Sequence, residues 1–124
     1  MVNYSPRISA SFIATLGTEP QVVSSAVDLL INKGILLSEV IVLHTTSNNS
    51  LMINAIDRLK EDFSNSTYPD KLALRMVPLL DELGHPLTDV ETPQAARCAF
   101  KTLYQLIRSV KKGGHVVHLS IAGG

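Results

Sequence analysis

Apolar positions in this chain form two alternating kinds of run. Four are short and nearly continuous: "SASFIATL" (9–16), "EVIVLHT" (39–45), "LALRMVPL" (72–79) and "HVVHLSIA" (115–122). Runs of this length, rich in Val, Ile and Leu, read as strands. Between them the apolar residues recur every three or four positions, as on one face of a helix. Val22, Val23, Ala26, Val27 and Leu30 make the first such face, with Gln21, Ser24, Ser25 and Asp28 outside it, and Lys33-Gly34 supplies the stop. Leu51, Met52, Ala55, Ile56, Leu59 and Phe63 make the second. The third opens at Thr92-Pro93, a cap followed by proline in the first position. It carries Ala96, Phe100, Leu103, Ile107 and Val110 inward and ends at "KKGG".

The order β-α-β-α-β-α-β predicts a parallel sheet with right-handed crossovers. Pro78 has no N–H for a ladder, which places the third strand at an edge. The expected fold is α/β, a Rossmann-like three-layer arrangement with a mostly parallel sheet in the order 3-2-1-4, over one domain spanning 1–124. Ligands of such sheets sit at the carboxyl ends of the strands flanking the switch point. Here those ends are "LGTEP" and "SIAGG". The connection "LLDELGHPLTDVET" (79–92) has no clean period and reads as a lid, a small hairpin or a surface loop, the last being the default. The chain stops at Gly123-Gly124, directly after an apolar strand that a full sheet would hold centrally. The expectation is therefore truncation after the fourth strand, or a sheet completed by a partner.

Composition narrows the class of ligand. With 11 Lys plus Arg and 11 Asp plus Glu, the net charge is zero, so no global field draws the chain to duplex DNA or to a membrane surface. Any anion has to be held by local groups. No apolar stretch approaches the roughly 20 residues that span a bilayer. "MVNYSPRISA" has neither the basic start nor the long apolar run of a signal peptide, and the single Cys98 fits a reducing compartment. The expected location is cytoplasmic.

The chemistry converges on the first turn. Backbone amides at a helix N-terminus hold phosphate with the help of the helix dipole. Gly17 permits close approach there, the Thr18 hydroxyl can donate to an oxygen, and Gln21, one turn in, can reach a ligand held at the turn. Thr45, Thr46 and Ser47 form a polar run at the end of the second strand, and Ala122, Gly123 and Gly124 leave room beside the switch point. Each has a plainer reading: Thr18 as an N-cap, Gly17 as a turn residue, "TTSNNS" as an ordinary loop and cap. Glu19 would stabilise a helix start but repel a phosphate at the same spot. His115 and His118 lie three apart on a strand, facing opposite sides. His44 reads as a satisfied core histidine, His85 lies in the long loop, and Cys98 has no partner at ligand spacing. No metal site and no cofactor are expected.

"ATLGTEPQVV", "EVIVLHTT" and "VHLSIAGG" together resemble the CRISPR-associated Rossmann-fold (CARF) proteins, in particular the ring-nuclease-like proteins of type III CRISPR systems. The resemblance covers about residues 10–124. It implies a homodimer that binds a cyclic oligoadenylate second messenger, most plausibly cyclic tetra-adenylate, across its two-fold cleft. It further implies cleavage without a metal to a 2′,3′-cyclic phosphate, which ends the antiviral signal. For such a ligand Gln21 would reach a base edge or a ribose, and Thr18 and Glu19 are the candidate catalytic residues. Glu19 departs from the related pattern, which often has serine there, and would point away, contact an adenine amine or act as a base towards a 2′-OH. In the family "AGG" runs on into Arg-Lys, and this chain ends before both. Three readings stay open: a ring nuclease, a non-catalytic CARF sensor that controls an effector nuclease, and a nucleotide- or protein-binding α/β domain.

Overall fold

The computed structural model describes residues 9–17, 19–46, 50–65, 68 and 72–120. In chain order these form β1 (Ala10–Thr15), α1 (Gln21–Asn32), β2 (Leu37–His44), α2 (Ser50–Asn65), β3 (Ala73–Pro78), α3 (Pro93–Lys112) and β4 (Val116–Ser120). The four strands make one sheet in the order β3-β2-β1-β4, every pair parallel. This is the fold and the strand order that the apolar pattern predicts. Pro78 ends β3 at the edge of the sheet, opposite His44.

The period of the strands divides the core in two. Phe12, Ala14, Val40 and Val42 point to one face, where they meet Val23 and Val27 of α1 and Met52, Ala55 and Leu59 of α2. Ile13, Ile41 and Leu43 point to the other, where they meet Leu103 of α3 and Leu79. β1 and β2 are therefore buried on both faces and apolar almost throughout, as parallel strands between helix layers are. β4 occupies the other edge, and its Val116 and Leu119 are each 44% exposed.

The predicted helix faces meet the core, with Ala26, Leu30, Ile56, Phe63, Leu103, Ile107 and Val110 packed as expected, and they depart from the expectation only at their margins. On α1, Val22 lies outside the core while Val23 and Val27 fill it. On α2, Leu51 is exposed and Met52, Ala55 and Leu59 carry the contact. On α3, Ala96 and Phe100 face out, and the packing surface is Ala95, Cys98 and Leu103, with Ala99, Leu106, Ile107 and Val110 beside them. The reason is steric as well as periodic: Ala95, Cys98 and Ala99 are small, and a helix can lie closer to a sheet on small residues than on Phe100.

Two helices end identically. Gly34 adopts φ +83° after α1, with its N–H on Ile31 C=O and that of Ile35 on Leu30 C=O. Gly114, also at φ +83°, does the same after α3, through Lys111 and the His115-to-Val110 bond. Both are Schellman closures, which satisfy orphan carbonyls and turn the chain directly into the next strand.

Candidate functional site

The parallel strands bring the ends of β1 and β2 to one rim of the sheet. Leu16 prolongs the β1–β2 ladder by donating its N–H to Leu43 C=O at 2.8 Å. Gly17, half-buried, follows it. Just past the end of β2, Thr45 is half-buried and Thr46 exposed. The structure thus brings Gly17, Thr45 and Thr46 to a common rim, together with Glu19 and Gln21 at the start of α1. Thr18, Ser47, Ala122, Gly123 and Gly124 lie outside the described residues.

The start of α1 differs from the expected anion cradle. Pro20 occupies the cap position with no side-chain bond, and Gln21 is the first helical residue rather than one turn in. Val22 N–H donates to Glu19 C=O at 3.2 Å, and the N–H groups of Val23 and Ser24 both donate to Pro20 C=O. These three amides are already spent inside the turn. Glu19 itself precedes the helix, so its exposed carboxylate lies outside the first turn rather than in it as the sequence suggests.

Gln21 opens onto a groove of about 430 Å³ between α1 and α2, lined also by Pro20, Leu51, Asn54, Ala55, Arg58 and Asp62. Asn54 and Arg58 are contributions that sequence reasoning missed. Their signal was present, since Asn54, Arg58 and Asp62 recur at four-residue intervals on the polar side of α2. Arg58 Nε donates to Asp62 Oδ1 at 3.3 Å, while Ser24 Oγ donates to Asp62 Oδ2 at 3.4 Å, which ties α1 to α2 along the groove floor. Lower on the same seam, Tyr68 donates its hydroxyl to Ser24 C=O at 3.5 Å. Burial pushes the Tyr68 phenol well above its ordinary value, and the Asp28 and Asp62 carboxylates add to the rise.

Residues 79–87 of the long connection form a small hairpin rather than a plain surface loop. Leu80 and Pro86 form an antiparallel bridge. Asp81 Oδ1 accepts the N–H groups of Leu83 and His85, both at 2.9 Å, and Gly84 takes φ +82° at the tip. Leu87 N–H donates to Leu79 C=O, and Leu87 C=O accepts Thr46 N–H, both at 2.8 Å. The hairpin therefore abuts the end of β2 and consumes the Thr46 amide.

Two of the histidines are held by hydrogen bonds within the fold. His44 Nδ1 lies 3.0 Å from Thr45 C=O and donates to it. His115 Nδ1 is 3.4 Å from both Ser11 Oγ and Ser38 Oγ, at the opposite end of the sheet from the rim. Among the described residues no three His, Cys, Asp or Glu side chains gather as a metal site would require, and no helix is long and apolar enough to cross a membrane.

No curated protein matches the chain. A family model does: that of the CRISPR-associated protein NE0113, over residues 19–124, from the first turn of the candidate site to the last residue. The match takes in every helix and the three strands that follow α1, so the chain belongs to the NE0113 family of CRISPR-associated proteins.

Proposed function

We propose that this protein binds a cyclic oligoadenylate, cyclic tetra-adenylate in the first instance, at the rim formed by the ends of β1 and β2 and the start of α1. The observation that carries the reading is the 3-2-1-4 parallel sheet, which collects Gly17, Gln21, Thr45 and Thr46 at its carboxyl ends in a chain of a CRISPR-associated family. Carboxyl ends of parallel strands are where such sheets place nucleotide ligands. Gln21 and Asn54 carry amides that match the donor and acceptor edges of adenine, and Arg58 brings a cation beside them. Two copies related by a two-fold axis would face two such rims to one ring, giving each phosphate-binding group a symmetry mate. In the ring-nuclease version of this reading a ribose 2′-oxygen attacks its own phosphodiester, and the protein's part is to hold that oxygen in line and to stabilise the developing charge.

A second reading, binding without cleavage, is favoured by the start of α1. The Val22, Val23 and Ser24 amides are bonded within the turn, and Glu19 adds a negative charge beside it. Both features oppose stabilisation of an oxyanion while leaving room for a bound ring. Incubation with cyclic tetra-adenylate and cyclic hexa-adenylate in EDTA, with binding and products followed by chromatography, separates the readings. Linear products ending in a 2′,3′-cyclic phosphate identify a metal-independent ring nuclease. Tight binding with the ring intact identifies a sensor. Binding of neither ring removes both.

A further inference from the structure

α3 carries a charge pattern unlike the rest of the molecule. Residues 93–112 include Arg97, Lys101, Arg108, Lys111 and Lys112, five of the 11 cations in the chain, and not one Asp or Glu. Lys111 and Lys112 lie in the last turn, where they complement the helix dipole. The other three have no such role. Arg97, Lys101 and Arg108 are exposed and make no ion pair with a described residue. Interleaved with them are Phe100, 68% exposed, and Tyr104, 56% exposed. The sequence Arg97, Phe100, Lys101, Tyr104, Arg108 has the spacing i, i+3, i+4, i+7, i+11, which is one continuous stripe on a helix about 16 Å long. It lies on the side of α3 away from Ala95, Cys98 and Leu103, which pack into the molecule.

We infer that this stripe is a binding surface for single-stranded nucleic acid, independent of the rim site. Cations in a row attract a phosphate backbone, and exposed aromatic rings beside them give bases a surface to stack on. A membrane does not fit: the apolar face of α3 is committed to the sheet, so only the two rings remain to enter lipid. A duplex fits less well than a single strand, because its bases are already stacked on one another and offer no free face to Phe100 or Tyr104. A net charge of zero does not oppose the assignment, since Debye screening makes the local field of an exposed stripe decide contact over roughly 10 Å.

The test is fluorescence anisotropy of a labelled 15-residue oligouridylate titrated with the full chain at increasing NaCl. Three phosphate contacts predict a log–log salt slope of about −2. The triple variant Arg97→Gln, Lys101→Gln, Arg108→Gln should weaken binding at least tenfold. The double variant Phe100→Ala, Tyr104→Ala should weaken it about tenfold through lost stacking, with unchanged circular dichroism and melting temperature in both. Excess cyclic tetra-adenylate should not displace the oligonucleotide. The inference is overturned if no binding occurs, or if cyclic tetra-adenylate displaces the strand, which would put it at the rim. It is equally overturned if the aromatic variant binds as the parent does while poly-L-glutamate competes as well as oligouridylate, because the stripe would then serve an acidic protein.

Discussion

Thr46 donates its backbone N–H to Leu87 C=O at 2.8 Å, fastening the end of β2 to the hairpin that follows β3. One bond thereby couples the candidate rim to a segment more than thirty residues away. The hairpin in turn depends on Asp81, whose Oδ1 accepts two backbone N–H groups. Asp81→Ala should therefore raise amide hydrogen exchange at Leu83 and His85 first and at Thr46 next, with a stability loss of about 1–2 kcal/mol. Exchange that stays unchanged at Thr46 would mean that the rim is held without the hairpin.

The two glycines after α3 should respond oppositely. Gly114 sits at φ +83°, where an added Cβ is strained, so Gly114→Ala should cost about 1–2 kcal/mol. Gly113 has an ordinary φ of −76°, and a Cβ there would approach Val110 C=O at 3.4 Å and His115 Cδ2 at 3.6 Å, close to normal contact. Gly113→Ala should change stability by less than about 0.5 kcal/mol. Urea unfolding of both variants checks the contrast.

The packing face of α3 is testable by a pair on its two sides. Leu103 is 8% exposed and packs with Ile13, Ile41 and Leu43, so Leu103→Ala should cost about 2–4 kcal/mol. Phe100→Ala should be near neutral, within about 0.5 kcal/mol. The reverse order would restore the inward Phe100 that the sequence pattern suggests.

That pair also marks how far the sequence could be read. Strand number, parallel order and the edge position of β3 were all legible, because continuous apolar runs and the missing N–H of Pro78 are decided locally. Helix faces were legible except at their margins. An α3 face flanked by Ala96 and Phe100 and one flanked by Ala95, Cys98 and Ala99 satisfy the same period about Leu103, Ile107 and Val110, and only packing against the sheet chooses the smaller residues. Of the candidate site, Gly17, Glu19, Gln21, Thr45 and Thr46 could be placed at the rim from strand ends alone. The spending of the Thr46 amide on Leu87 could not, because it joins segments distant in sequence. Nor could the presence of Gln21, Asn54 and Arg58 along one groove, which depends on how α1 lies beside α2.

Tyr68 predicts an alkaline limb in stability. Its folded value is raised above the ordinary 10.0, chiefly by burial and then by Asp28 and Asp62. The folded state therefore holds the phenolic proton more tightly than the unfolded state does. The resulting stabilisation is complete below pH 10 and falls away as the pH rises above it. Tyr68→Phe should flatten the decline in melting temperature above about pH 10. An unchanged alkaline limb would show that the phenol is as exposed to water in the folded chain as in the unfolded one.

The most direct test of the rim is the affinity of the parent chain and of Gly17→Val for cyclic tetra-adenylate, measured by calorimetry in EDTA with melting temperatures recorded alongside. The account predicts that the parent binds the ring and that a valine beside the end of β1 abolishes binding while the variant stays folded. Equal affinity in the two proteins, or no binding by the parent, would contradict it.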